Sequence, residues 1–190
     1  MSAAWPFGNA RMFGYDVIVA DPPWLFDLRS AKGEAKSPQA QYACMSTRDI
    51  AALPVGHLCS SDAWLFLWAT APMLPEAIDV MRAWGFQYKS RISWIKRTAT
   101  GKTRFGPGYV VRSRHEDVLI GAMGTPPFTT ALHSIFNGLA REHSRKPDEF
   151  YPMIERFSPD ARRAELFARQ SRLGWTTWGL ESTKFDGVTG

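Results

Sequence analysis

The chain is poor in the residues that build metal sites and cross-links. Cys44 and Cys59 are its two cysteines, with no Cys-x-x-Cys pair, and His57, His115, His133 and His143 show no ligand spacing relative to them. Neither a metal site nor a disulfide is therefore expected. No apolar run approaches the ~20 residues needed to cross a bilayer, and no charged segment followed by an apolar one opens the chain, so a cytoplasmic protein that does not engage a membrane is expected. No Gly-x-Gly-x-x-Gly follows a strand-like run; Gly106-Pro107-Gly108 is too short and lies in a basic stretch, which argues against a dinucleotide-binding dehydrogenase. A Ser-His-Asp set, a paired-carboxylate arrangement, an internal repeat and a low-complexity tract are all missing.

What is present fits one domain spanning 1–190, with 45% apolar residues to fill a core of two or three layers. Eight tryptophans are unusual at this length; most suit core or surface packing, while flat indole faces also suit stacking on bases. The net charge of +5 is modest, yet Lys96, Arg97, Lys102, Arg104, Arg112 and Arg114 follow one another with no acidic residue between them. Such a run can track a phosphate backbone or form a solvated basic loop.

Periodicity predicts alternating strands and helices. Tyr15 to Ala20 (YDVIVA) and Ala63 to Thr70 (AWLFLWAT) read as strands covered on both faces. Pro75 to Trp84 reads as a helix, with proline in its first turn and Gly85 beyond its end. Tyr88 to Lys96 and Asp117 to Ala122 are further strands that place the basic run in a loop or hairpin. Lys146 to Phe157 carries Phe150, Met153, Ile154 and Phe157 at helical spacing, Arg163 to Ala168 is a strand, and Trp175 to Trp178 is a short closing one. The pattern implies an α/β layered domain with a mainly parallel sheet, whose ligands sit beyond the carboxyl ends of the strands. Long connections near 25–41, 97–114 and 123–143 are expected to be mobile loops that serve function.

Asp21-Pro22-Pro23-Trp24 lies where the first strand ends. Consecutive prolines fix their own φ and hold the preceding residue extended, so the motif presents a carboxylate, a rigid carbonyl and an aromatic ring together. The exocyclic amino group of a base is a poor nucleophile because its lone pair is delocalised into the ring. Two acceptors converging on its N–H bonds, the Asp21 carboxylate and the Pro22 carbonyl, would hold the nitrogen out of conjugation by position and electrostatics. Trp24 would offer a stacking face worth roughly 1–3 kcal/mol. The same four residues also suit a rigid turn after a strand.

The tetrapeptide heads an ordered set of segments, VIVADPPW, QYACMS, LFLWAT, ISWIK, HEDVLIG, SRKPDEFYPMIERFSP and ELFARQSR, that runs along nearly the whole chain. This set resembles the MT-A70-like methyltransferases. The resemblance implies a Rossmann-like methyltransferase fold, a mainly parallel sheet flanked by helices, and transfer of methyl from S-adenosyl-L-methionine to the N6 amino group of adenine in nucleic acid. It makes Asp21, Pro22, Pro23 and Trp24 the catalytic loop and puts Tyr42, Trp68, Lys96 and Glu116 on the substrate side. Lys146 would contact the cofactor carboxylate or the substrate region, which suits an ammonium at a helix start. Asp21, Glu165, Phe167, Arg169 and Glu181 would join Lys146 around the cofactor, and the Trp5-Pro6-Phe7 stretch would lie near its adenine.

The sequence departs from the family pattern at Gln170-Ser171-Arg172, where eukaryotic members carry histidine and asparagine, and at Leu180, where an amide is common. The extra domains of eukaryotic members are lacking, which points to a small microbial or phage-type enzyme. DNA is favoured over RNA as the polymer partner, and a homo- or heterodimer is compatible with the sequence. The competing reading is a catalytically silent, nucleic-acid-binding subunit of a methyltransferase complex.

Overall fold

The computed structural model describes residues 4–25, 44–106, 110–141 and 145–187. Its frame is a seven-stranded sheet: β1 (Tyr15–Ala20), β2 (Cys59–Ala69), β3 (Gln87–Arg97), β4 (His115–Met123), β5 (Ile135–Leu139), β6 (Arg163–Leu166) and β7 (Trp175–Trp178). These lie side by side in the order β5-β3-β4-β2-β1-β6-β7. β1 pairs in parallel with β2 and β6, β6 with β7, and β3 with β5, whereas β4 runs antiparallel to both β2 and β3. Every strand except β4 therefore points the same way, and β1 sits inside the sheet with its carboxyl end on the edge where α/β folds bind ligands.

Side-chain alternation divides the core into two layers. Ile18, Ala20, Leu65, Leu67 and Leu119 face one cluster. It is covered by α1 (Thr47–Ala51) and α2 (Leu74–Ala83), the latter entered through Pro75 and followed by Gly85 at a φ of 89°. Val17, Val19, Phe66, Trp68, Ile92, Trp94, Val118 and Ile120 face the other cluster. α3 (Phe150–Phe157) closes that side with Phe150, Tyr151, Ile154 and Phe157. This is a Rossmann-like α/β fold, a mainly parallel sheet flanked by helices.

The strands fall where the β-branched and apolar runs place them, and the basic stretch is the β3–β4 hairpin connection. Three differences have local causes. β5 occupies part of the expected 123–143 loop; it is an edge strand of sequence IFNGL, mostly exposed, so it carries no buried apolar stripe. α1 spans five residues, too few to show a period, and is nucleated by Ser46, whose hydroxyl accepts from the Asp49 N–H at 3.1 Å. α3 begins at Phe150, not at Lys146, so Lys146 and Pro147 form a non-helical lead-in. Among the described residues, no helix is long and apolar enough to cross a membrane.

Candidate active site

β1 stops at Ala20 because Pro22 and Pro23 have no N–H to extend the ladder. The chain turns tightly there, Trp24 N donating to Pro22 O at 2.8 Å. It is then pinned by the segment ahead of α1: Met45 N donates to Pro23 O at 2.8 Å and Leu25 N to Met45 O at 3.1 Å. Trp24 does not present the stacking face read from the sequence. It is 6% exposed, packs into the Ile18–Leu67 cluster, and donates its indole N–H to Trp68 O at 3.1 Å. It anchors the loop to the neighbouring strand.

Asp21 meets Lys146, whose Nζ lies 3.2 Å from Asp21 Oδ2 and 3.1 Å from Glu165 Oε1. Glu165 projects from β6, next to β1, onto the same face as Asp21. Tyr151 on α3 donates its hydroxyl to the same Glu165 oxygen at 3.0 Å. Side-chain exposure is 5% for Lys146, 3% for Glu165 and 29% for Asp21, so the open member of the chain is Asp21. Burial disfavours the Lys146 charge, but the Asp21 and Glu165 carboxylates outweigh it and raise its pKa well above the ordinary lysine value. Burial and the Glu165 carboxylate together push the Tyr151 phenol up, so it stays a hydrogen-bond donor. A tripartite ion cluster of this kind costs desolvation energy and is weak evidence for stability. Its position at the carboxyl edge gives it a functional reading.

Beyond β2, the same sheet face continues into Trp68, Trp94, Lys96 and Glu116. Trp94 and Glu116 are register partners on β3 and β4, Lys96 pairs with the Glu116 carboxylate, and its Nζ lies 5.2 Å over the Trp94 ring. The rings of Trp68 and Trp94 meet edge to face at 5.9 Å. The buried Trp68 indole N–H has no hydrogen-bond partner among the described residues. The Trp94 N–H is taken by Gly138 O on β5 at 2.9 Å.

On the β6 side, Phe167 follows the strand at a φ of 58°, a left-handed conformation that costs a bulky residue on the order of 1–3 kcal/mol and clusters at functional sites. Its ring packs on Trp178 at 5.3 Å. Arg169 pairs with the Glu181 carboxylate, and hydrogen bonds from Lys184, 2.6 Å away, and from Arg169 hold that carboxyl below its usual range. Arg145, Lys146, Tyr151, Glu165, Arg169 and Arg172 line one cavity. The Arg172 guanidinium lies 3.5 Å from the Tyr151 ring centroid.

The structure thus brings together Asp21, Lys146 and Glu165, and places Arg169 on the same cavity. Tyr42 lies outside the described residues. Trp5-Pro6-Phe7 anchors the start of the chain: Phe7 is 1% exposed and Pro6 O accepts from the Trp178 indole at 3.0 Å. Sequence reading missed Tyr151, Arg145 and Arg172. Tyr151 belongs to a helical apolar stripe, and nothing in that spacing distinguishes a buried phenol that packs from one that also serves a carboxylate.

A Rossmann-like sheet with a carboxylate at the end of β1 and a buried lysine bridging it to β6 makes an α/β ligand site at the carboxyl edge of the strands. The family profile described as MT-A70 matches residues 15–181. The chain belongs to the MT-A70 family. It is 32% identical over 192 residues to a probable N(6)-adenosine-methyltransferase MT-A70-like protein of Oryza sativa subsp. japonica, covering 93% of this chain and 25% of that protein. It is 30% identical to the type II methyltransferase M.MunI of Mycoplasma sp, covering 88% and 77%. Against the human N(6)-adenosine-methyltransferase catalytic subunit METTL3 identity is 29%, covering 92% and 29%. The chain thus spans about a quarter of the length of the plant and human relatives and about three quarters of the Mycoplasma one.

Proposed function

We propose that the protein is an adenine N6 methyltransferase that uses S-adenosyl-L-methionine and acts on DNA. The observation that carries this reading is the Asp21–Lys146–Glu165 chain, which puts one solvent-facing carboxylate at the carboxyl end of β1 and ties it to the cavity under β6. The side chains around this small cavity suit the charged amino-acid end of the cofactor. Arg145, Lys146, Arg169 and Arg172 are cations suited to a carboxylate, and Glu165 is an acceptor suited to ribose hydroxyls or an ammonium. Lys146, Glu165, Phe167, Arg169 and Glu181 would hold that group. When bound it supplies the sulfonium methyl.

The protein's own part is positional. Asp21 accepts one N–H of the adenine amino group, and Pro22 O, whose second lone pair remains beside the Trp24 N–H, accepts the other. Lys146 fixes the direction of the Asp21 carboxylate before the substrate arrives, so little reorganisation accompanies the reaction. Trp24 holds the loop from beneath, and the buried Trp68 and Trp94 support Lys96 and Glu116, which with Tyr42, outside the described residues, would form the substrate side. The proposal of DNA rests on the likeness to the type II methyltransferase, 77% of whose length is matched at 30% identity.

The test is incubation with labelled cofactor and equal amounts of DNA and RNA of the same sequence, followed by nucleoside mass spectrometry. N6-methyladenine in the DNA digest supports the reading. Label confined to RNA overturns the choice of polymer, and label on cytosine overturns the choice of base.

A further inference from the structure

The β3–β4 connection does more than carry charge. After β3 the chain turns at Thr98–Lys102, where Thr98 N donates to Lys102 O at 2.8 Å, and runs back beside β3, with Thr103 bridging Arg97 and Arg104 N donating to Lys96 O at 2.8 Å. Gly106 N then donates to Ser113 O at 2.8 Å, so a small secondary hairpin stands out from the sheet. β3 runs parallel to β1, and this hairpin therefore rises from the same edge as Asp21. Arg104 braces it, Nη1 reaching Ala140 O and Arg141 O at 3.4 Å each, on the segment that leads to Lys146.

Phe105, 50% exposed, precedes Gly106 in this hairpin. The Arg112 guanidinium lies 4.6 Å from its ring centroid and that of Arg114 5.9 Å. An aromatic ring held half in solvent gains nothing for the core, and no acidic residue occurs from Lys96 to Arg114. A half-exposed ring with the Arg112 and Arg114 guanidiniums held over it, in a stretch of sequence without an acidic residue, forms an aromatic and cationic surface complementary to a base with flanking phosphates. An acidic peptide would use the charge but leave the ring without a matching plane.

We propose that Phe105 is a stacking platform for a nucleobase flanking the target adenine, with Arg112 and Arg114 on the adjacent phosphates. This rests on the nucleic-acid reading above. It also gives the hairpin a role in positioning the neighbouring nucleotide.

The experiment is fluorescence anisotropy with labelled single-stranded and duplex oligonucleotides across a salt series, in the presence of S-adenosylhomocysteine, with methyl transfer and mass photometry on the same samples. Phe105→Ala weakens oligonucleotide binding by roughly 5- to 100-fold with the salt slope unchanged, and Phe105→Trp restores it. Arg112→Gln instead lowers the salt slope by about 1. Tyr88→Ala, an exposed aromatic at the opposite end of β3, binds as wild type does. If wild type binds and methylates DNA and Phe105→Ala does so equally well, the platform is wrong and the proposed function stands. A change in oligomeric state in Phe105→Ala, with oligonucleotide affinity intact, assigns the ring to a protein interface and overturns the platform. Wild type that binds no polynucleotide overturns both readings.

Discussion

Lys146 carries the most electrostatic weight of any single residue here. It is buried between two carboxylates, and removing one partner from such a cluster leaves uncompensated charge at a cost of about 3–5 kcal/mol. Lys146→Met is expected to lower the melting temperature by roughly 10 °C and to abolish methyl transfer, as circular dichroism melts and a labelled-methyl assay would show. A variant that melts like wild type would mean that Asp21 and Glu165 do not depend on the lysine. Tyr151→Phe removes the phenol that shares Glu165 Oε1 while keeping the ring under Arg172. Loss of that one buried hydrogen bond is expected to cost about 1–2 kcal/mol, read as a lower urea midpoint with an unchanged slope.

At the scale of elements, β1 is held to its neighbours from both ends. Asp16, at its start, accepts from the Arg162 guanidinium at 2.9 and 3.0 Å and from the Arg162 backbone N–H at 2.9 Å, just before β6. With a further hydrogen bond from Ser60, these hold the Asp16 pKa at about 2, below the ordinary 3.8. As pH falls, the unfolded chain therefore takes up this proton before the folded one does. The stabilisation is whole above pH 3.8 and drains away toward pH 2. Asp16→Asn should lower stability at neutral pH and flatten the acid limb across that window in a series of melts. A variant whose acid limb matches wild type would remove Asp16 from the account.

β5 depends on close approach instead. A Cβ on Gly138 would fall 2.6 Å from Pro147 Cβ and 2.8 Å from Trp94 Nε1. Gly138→Ala is thus expected to cost about 1–3 kcal/mol and to loosen the lead-in that delivers Lys146; hydrogen exchange across 135–150 checks it. This dependence was not legible in the sequence. β1, β2 and β4 announce themselves because both faces are buried, which forces continuous apolar runs. β5 has one poorly covered face, where Asn137 sits, and close packing on the other, where Gly138 is needed, so it shows no apolar run. Asp21 was legible because two prolines after a buried strand have few other uses. Lys146 was placed at a helix start, and the structure shows instead a non-helical lysine whose anion partners come from the loop after β1 and from β6, a long-range arrangement that local spacing does not encode.

At the scale of the molecule, the reversed strand β4 turns the basic run into a hairpin on the Asp21 edge, so basic charge and the candidate catalytic carboxylate share one rim. The proposed cofactor site makes ligand binding measurable as stability. S-adenosylhomocysteine at a hundredfold over its dissociation constant should stabilise the protein by about 2.7 kcal/mol, visible as a raised melting temperature that Glu165→Gln largely removes. No shift at saturating ligand would fit the silent subunit instead.

The most direct test of the central claim compares wild type with Asp21→Asn, a change that keeps the shape of the side chain but removes its charge. N6-methyladenine formed in DNA is quantified by nucleoside mass spectrometry, with melting curves recorded on both proteins. The account predicts that the variant folds and that methyl transfer falls at least about 100-fold. A folded Asp21→Asn protein that methylates adenine at the wild-type rate would contradict it.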